Sequence, residues 1–196
     1  SEGADTFTMT EALTAYIAIG GAGNDIFNTG TNTGMQASII GGEGTDDTLI
    51  VGNIALDLTT GSANFAISGV EVFELDATNN TMTMTATQFA NNNTVKLEGN
   101  SVTADLFVVE GLAPANTIDA TGVTVEATQG VGITYTGGAA NDVITGGAAD
   151  ETIAFGSAAN AGGGVDTLDG GTGTDTFDGA LVTGVTETGS AASIGA

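Results

Sequence analysis

GGAANDVIT (residues 137–145), followed at once by GGAADETIA (146–154), sets the pattern of the chain. After the six residues FGSAAN, the nine-residue unit returns as AGGGVDTLD (161–169) and GGTGTDTFD (170–178). All four units follow the template G-G-x-G-x-D-x-U-x, where U is a large apolar residue, and the last fits at every defined position. Such a repeat predicts one tight turn and one short strand per unit, stacked as a parallel β-roll.

The same unit occurs near the start of the chain. Residues 20–28 (GGAGNDIFN) fit the template equally well, and residues 41–49 (GGEGTDDTL) fit if one extra acidic residue is allowed. Asp25 and Asp47 are 22 residues apart, which is close to one coil of two units. We therefore expect these two turns to lie on the same edge of the roll and to share an ion.

The residue types in the unit predict a calcium site. Glycines at positions one, two and four permit positive φ and tight turning, which leaves carbonyl oxygens facing inward. The aspartate at position six adds a carboxylate, and Ca²⁺ prefers roughly six to eight oxygen ligands of these two kinds. The apolar residue at position eight lies on the strand and alternates away from its polar neighbours. The inward residues predicted to stack are Ile144, Ile153, Leu168 and Phe177.

Because two units complete one coil, each turn should lie above the second turn that follows it. Asp142 is then predicted to face Asp166 along one edge. Glu151, with Asp150 as a second candidate beside it, is predicted to face Asp175 along the other. The candidate calcium ligands, backbone carbonyls included, are Gly20, Ala22, Asn24, Asp25, Gly41, Glu43, Asp46, Asp47, Gly137, Ala139, Asn141, Asp142, Gly146, Ala148, Asp150, Glu151, Gly162, Gly164, Asp166, Gly170, Thr172, Thr174 and Asp175.

These repeats resemble the RTX (repeats-in-toxin) family, and the long β-rich middle is similar to bacterial surface-layer proteins that carry such repeats. The resemblance implies calcium-dependent folding outside the cell and, usually, type I secretion. ISGVEVFEL (residues 67–75) loosely resembles a phrase found between RTX blocks in surface-layer proteins. The chain departs from the family template at Ala140, Ala149, Glu151 and Ala161, where we expect weaker or vacant sites.

Composition excludes several functional classes. Twenty-four acidic residues face a single basic one, Lys96, for a formal charge of −23, so nucleic acid and anionic membrane surfaces are very poor partners. Without cysteine or histidine the chain forms no disulfides and is a poor ligand for zinc or copper. The sequence contains no run of about 18 apolar residues, so it predicts no transmembrane helix. An acidic surface tuned for solubility is the alternative, but it leaves the acids inside glycine turns unexplained.

The middle of the chain, residues 54–136, lacks the repeat but keeps strand signals. The predicted strands are residues 54–58, 70–75, 81–87, 94–98, 105–110, 123–127 and 132–136. Thr81, Thr83, Thr85 and Thr87 alternate with apolar residues, a pattern that fits a half-buried strand and also a threonine array for ice or carbohydrate. Glu71, Glu74 and Asp76 are read as a solvated face. They lack a nucleophile, a histidine or a basic partner, so no catalysis is predicted.

The sequence therefore predicts an all-β, right-handed parallel β-roll or β-helix with calcium-binding glycine-rich turns. A single domain, residues 1–196, comprises N-terminal coils (1–53), a β-helical middle (54–136), the repeat block (137–178) and a C-terminal assembly segment (179–196). The predicted function is a calcium-stabilised structural protein of an extracellular surface layer or filament. Its predicted partners are other copies of itself, with cell-surface polysaccharide as a further candidate. The alternatives are an adhesin or an ice- or glycan-binding module, and the calcium-binding domain of a type I-secreted enzyme.

Overall fold

A computed structural model describes most of the chain, with gaps in several connections. The described residues are 2–9, 14–31, 36–52, 55–59, 66–76, 80–92, 94–99, 105–112, 115–126, 130–154, 165–178, 186–188 and 193–195. Of the predicted ligands, Gly162 and Gly164 lie outside them, as does much of the predicted assembly segment.

The described part of the chain is built almost entirely from short strands. They are β1 (Thr6–Thr8), β2 (Thr14–Ala22), β3 (Ile26–Asn28), β4 (Gln36–Glu43), β5 (Thr48–Val51), β6 (Ala55–Asp57), β7 (Ile67–Ser68), β8 (Val72–Leu75), β9 (Thr81–Thr85), β10 (Val95–Gly99), β11 (Asp105–Glu110), β12 (Thr117–Asp119), β13 (Val123–Val125), β14 (Val131–Thr136), β15 (Val143–Thr145), β16 (Glu151–Ala154), β17 (Thr167–Asp169), β18 (Thr176–Asp178), β19 (Thr186–Thr188) and β20 (Ser193–Gly195), with one helix, α1 (Ala86–Ala90).

The strands form four sheets, and every described pairing is parallel. Sheet I has the order β1-β3-β5-β8-β10-β13, and sheet II has the order β6-β9-β11-β14-β16-β18-β20. Sheet III is β2-β4-β7, and sheet IV is β12-β15-β17-β19. Because strands distant in sequence stack while consecutive strands enter different sheets, the chain winds as a β-solenoid. The predicted parallel β-roll or β-helix is confirmed.

The repeat length sets the coil length. Ile133 pairs with Glu151, 18 residues later, which is two nine-residue units. Ile153 pairs with Phe177, 24 residues later, because the six residues FGSAAN are added between the units. In sheet I, Thr48 pairs with Val72 at the same spacing of 24.

The number of sides changes along the solenoid. At the N-terminal end the chain alternates between sheets I and III, and at the C-terminal end between sheets II and IV. In the middle, β5, β6 and β7 enter three different sheets in succession, as do β10, β11 and β12. Two flat rolls therefore flank a three-sided segment, and the repeat units lie in the rolls.

Helix α1 lies on the third side of the solenoid, in contact with β7 of sheet III and β12 of sheet IV. Its N-terminus is a capping box, in which Thr85 and Gln88 exchange side-chain bonds with each other's backbone. The predicted strand over residues 81–87 is therefore wrong at its end, because Ala86 and Thr87 are helical. The spacing Thr-x-x-Gln was the available signal for this helix start.

A continuous apolar core runs through the coils. The four inward residues predicted from the repeats are all buried, and they stack as Ile144 on Leu168 and Ile153 on Phe177. Aromatic rings fill the wider middle, with Phe107 at 5.9 Å from Phe73 and 6.2 Å from Phe89 between ring centroids. Each such buried side chain contributes about 1.5–3 kcal/mol of transfer free energy. None of the described helices is long and apolar enough to cross a membrane.

Candidate metal centre

Acidic residues at strand entrances connect neighbouring coils and form ladders along the solenoid. Seven carboxylates at the start of a strand, or immediately before it, accept the backbone N–H of the equivalent residue on the preceding coil. Among the described residues these bonds join Asp5 to Asp25 (2.7 Å), Asp25 to Asp47 (2.7 Å), Asp47 to Glu71 (3.0 Å), Asn80 to Asp105 (2.9 Å), Asn116 to Asp142 (2.8 Å), Asp142 to Asp166 (2.9 Å) and Glu151 to Asp175 (3.1 Å), donor first. The structure thus brings Asp142 to Asp166 and Glu151 to Asp175.

The N-terminal ladder is the series of strand-entrance acids near the start of the chain, and it extends one residue beyond the two acids that the repeat units contain. Asp25, Asp47 and Glu71 follow one another at spacings of 22 and 24 residues, just before β3, β5 and β8. The interpretation of Glu71 as part of a solvated face is wrong, because its Oε2 accepts the Asp47 N–H from the next coil. Its position one coil after Asp47, immediately before a strand, was the sequence signal that could have identified it.

The second carboxylate oxygen of several ladder acids has no partner. Asp25 Oδ2, Asp47 Oδ2 and Glu151 Oε2 are all buried and accept no hydrogen bond in the structure. Asp142 differs, since its Oδ2 accepts the Gly138 N–H at 2.6 Å. A buried carboxylate oxygen without a donor is costly unless a proton or a cation compensates it.

The first glycine of each unit makes room for this oxygen. A Cβ added at Gly20 or Gly41 would collide with the carboxylate of Asp25 or Asp47 from the same turn. The same holds in the repeat block, where a Cβ on Gly146 would lie 2.7 Å from Glu151 Oε2. Position one therefore requires glycine for space rather than for positive φ.

Within the described repeat units, the glycines with positive φ lie at positions two and four. Gly21, Gly42 and Gly171 occupy position two, with φ of 112°, 123° and 77°. Gly23 and Gly173 occupy position four, with φ of 112° and 131°. The expectation that the glycine at position one also takes positive φ is wrong, because none of the described first glycines does so.

A carbonyl oxygen of the neighbouring coil converges on the same point. The Cβ position of Gly146 lies 2.5 Å from the Gly170 carbonyl oxygen, in addition to Glu151 Oε2. At Gly20 the corresponding carbonyl is that of Gly41, at 2.6 Å. We call the space beside the first glycine of a turn a cradle. The cradles at Gly20 and Gly146 each present one carboxylate oxygen and one carbonyl oxygen, the ligand types that Ca²⁺ prefers.

The ladders distribute their acids rather than gathering them. No three acidic side chains converge on one point anywhere in the described ranges. A cation held here would therefore be coordinated mainly by backbone carbonyls, with one or two carboxylates per turn. These residues fit calcium, whose flexible coordination accepts carbonyl-rich sets, better than they fit a cluster-type metal site.

Position five of the unit has a structural task. Asn141 Oδ1 accepts the Val165 N–H at 2.8 Å, and Asp150 Oδ1 accepts the Thr174 N–H at 2.8 Å. These side chains bond the following coil, whereas Asp142 and Asp166 at position six bond the preceding one. Asn24 and Asp46 also meet across coils, with their side chains 3.3 Å apart at the exposed rim.

Some predicted carbonyl ligands already serve the stacking of the coils. The Ala22 carbonyl accepts the Gly3 N–H at 2.7 Å, and the Glu43 carbonyl accepts the Gly23 N–H at 2.8 Å. The remaining described candidates, which lie in the turns of the repeat block, are Gly137, Ala139, Ala148 and Thr172.

Burial determines the electrostatics of the ladders. It raises the pKa of Asp47 and Glu71, each with a further increase from acidic neighbours and an opposing effect of backbone N–H bonds. Among the acids at the strand entrances, burial raises the pKa of Glu151 the most, to about 8, despite the Gly147 N–H, and the nearby Asp175 adds to the increase. Positive charge is scarce in this part of the molecule, since Lys96, the single basic residue, is paired with Glu98.

Comparison with protein-family models, with curated proteins and with solved structures finds no match to this chain. The interpretation of the site therefore depends on the geometry above.

Gly146→Ala tests the steric requirement at position one. The new Cβ would lie within 2.7 Å of Glu151 Oε2 and 2.5 Å of a backbone carbonyl. We expect a loss of about 1–3 kcal/mol of unfolding free energy in millimolar calcium, as for overpacked sites. Denaturant unfolding followed by circular dichroism measures this loss.

Gly130→Ala is the matched control, because no atom lies within 4 Å of its added Cβ and its φ is ordinary. We expect it to be neutral or to stabilise by up to about 1 kcal/mol. Equal effects of the two substitutions would contradict the cradle geometry.

Proposed function

We propose that this chain is a calcium-stabilised structural protein of an extracellular surface layer or filament, which folds and self-assembles outside the cell on binding Ca²⁺. The observation that carries the proposal is the buried, unpartnered carboxylate oxygen of Asp25, Asp47 and Glu151, each beside the first glycine of its turn. The resemblance of the repeats to the RTX family supports the same conclusion.

Charge explains why a cation would control folding. The chain has a formal charge of −23, and the ladder places acids of successive coils at the same edge. Without cations, folding brings these carboxylates together and removes them from water, which opposes the compact state. Bound calcium would supply the compensating charge, so that its binding free energy becomes folding free energy.

The ladder residues would act in two ways at once. In Asp25 and Asp47 one oxygen accepts an N–H from the preceding coil and fixes the stacking distance, and the other remains available for a cation. The cation site would therefore exist only once two coils have stacked. Extracellular calcium at millimolar concentration matches the affinity range of many extracellular modules.

The distribution of threonine favours this proposal over an ice- or glycan-binding module. In sheet II, Thr134, Thr152 and Thr176 lie side by side on three neighbouring strands. The next strand on the side of Thr134 places Val108 in the same row, which interrupts the threonines. The next row contains Glu110. A binding array of this kind would need regular threonine files over several coils.

The calcium-binding domain of a secreted enzyme is the other alternative, and it would contain the same cradles. The full-length gene product would distinguish that alternative.

Removal of calcium should unfold the chain. We expect a coil-like circular dichroism spectrum in excess chelator and a β spectrum when calcium is added, because the ladder acids then lose their mutual repulsion. Magnesium should substitute poorly, since it demands smaller octahedral geometry. A β spectrum that persists unchanged in chelator would refute the proposal.

The loss of calcium affinity on neutralising a single acid should depend on whether that acid lies in a repeat turn. Asp25→Asn and Asp175→Asn keep an oxygen that can accept the N–H of the preceding coil but remove the negative charge. Each should weaken calcium binding on the order of tenfold, because affinity depends on the number of charged ligands. Glu74→Gln, on the outer face of β8, should change stability by less than about 0.5 kcal/mol. Calorimetric titrations in which all three variants match the wild type would rule out the ladders as binding sites.

End-to-end contact should drive assembly. β1 and β2 are edge strands at one end of the solenoid, and β19 and β20 are edge strands at the other. β2 also carries exposed Ile17 and Ile19, a combination that favours pairing with another chain. A head-to-tail contact of this kind does not close and yields a filament or a sheet.

The test compares light scattering of the intact chain with that of a chain lacking residues 1–19, which removes β1 and both exposed isoleucines of β2, in millimolar calcium. We expect the truncated chain to assemble far less. Circular dichroism in calcium serves as the control that it still folds. Equal assembly of two folded chains would mean that lateral contacts, rather than the ends, hold the layer together.

A further inference from the structure

A pair of polar residues is buried in the middle of the solenoid, away from every repeat unit. Asn80 immediately precedes β9, and Asp105 is the first residue of β11, the next strand of sheet II. Both are nearly inaccessible, with exposed fractions of 0% and 1%. The segments before them contain no glycine pair and no match to the template, so the repeat pattern predicts no cation site at these two residues.

Most of the polar atoms in this pair are satisfied by the backbone. The Asn80 N–H donates to Asp105 Oδ1 at 2.9 Å, which repeats the ladder geometry of the glycine turns. The Asn80 side-chain amide donates to the Val51 carbonyl at 2.6 Å. These bonds fix both side chains between three successive coils.

Two acceptor oxygens remain without any donor. Asn80 Oδ1 and Asp105 Oδ2 are both buried and accept no hydrogen bond. In the repeat turns the unpartnered oxygen of the ladder acid adjoins a carbonyl, whereas here the second oxygen comes from a side-chain amide. Two buried acceptors on stacked residues, one of them a carboxylate oxygen, need a proton or a cation between them, because neither an amide oxygen nor an ionised carboxylate can donate.

We propose that Asn80 and Asp105 form a further binding site for a divalent cation of the calcium class. An amide oxygen and a carboxylate oxygen are hard ligands that suit Ca²⁺, and they would supply two of its roughly six to eight contacts. The site lies in the three-sided middle segment, which the repeats leave without calcium turns. It shares with the proposed function only the premise that the chain takes up calcium.

Asp105→Asn tests the site with almost no change of shape. It leaves an oxygen that can accept the Asn80 N–H and replaces the unpartnered oxygen by an amide donor. We expect native mass spectrometry of the full chain in calcium to count one ion fewer than in the wild type. Asp119→Asn is the matched control, since Asp119 is exposed and accepts the Thr121 hydroxyl at 2.7 Å. It should leave the count unchanged.

The melting temperature gives a second measurement, because the shift caused by Asp105→Asn should have opposite signs with and without calcium in this site. At the lowest calcium concentration that keeps the wild type folded, Asp105→Asn should melt higher than the wild type, because it removes an uncompensated buried charge. In saturating calcium it should melt lower, because it loses a bound ion. A shift of the same sign and size in both conditions would overturn the site in favour of a neutral, protonated Asp105.

A measurement on the wild type covers the case in which the variant does not fold. Crystals grown with terbium in place of calcium should give an anomalous peak beside Asn80 and Asp105, and the absence of a peak there overturns the site. If the wild type binds no calcium at all, the proposed function fails with it. If the wild type binds calcium and Asp105→Asn binds the same number of ions, this site alone fails.

Discussion

The carboxylate that spans two coils is the interaction on which the rest of this structure depends. One of its oxygens accepts an N–H from the preceding coil, as in the 2.7 Å bond from Asp25 to Asp47, and so fixes the stacking register. Its other oxygen lies over the first glycine of its own turn, where no side chain fits. Register, turn composition and the candidate cation cradle therefore follow from a single residue type at the entrance to a strand.

This arrangement leaves the fold with an electrostatic deficit. Backbone N–H groups satisfy only part of each carboxylate, and burial raises the pKa of Asp47, Glu71 and Glu151 above its ordinary value. A protein with this many acids and one lysine can offset the deficit only with protons or with cations from solution. Calcium-dependent folding is the consequence that we propose, and it depends on chemistry within the turns rather than on net charge alone.

The middle segment solves the same stacking problem with other residues. Asn92 Oδ1 accepts the Val70 N–H at 3.0 Å, where the glycine turns would use an acid. Helix α1 occupies the third side between sheets III and IV, and its Phe89 packs against Phe107 and Tyr135 in the enlarged core. Aromatic packing thus accompanies the stacking here, whereas most of the described inter-coil acids lie in the two-sided rolls.

The repeats by themselves determined the strand period, the inward stack of Ile144, Ile153, Leu168 and Phe177, and the pairing of Asp142 with Asp166. They did so because a nine-residue unit with one apolar position leaves a single consistent way to stack. Only the tertiary structure decided that Glu71 continues the N-terminal ladder, that residues 86–90 form a helix, and that Asn80 meets Asp105. The contacts of Glu71 and of Asn80 with Asp105 join residues about one coil apart in segments without a repeat, where variable connections hide the register until neighbouring coils fix it.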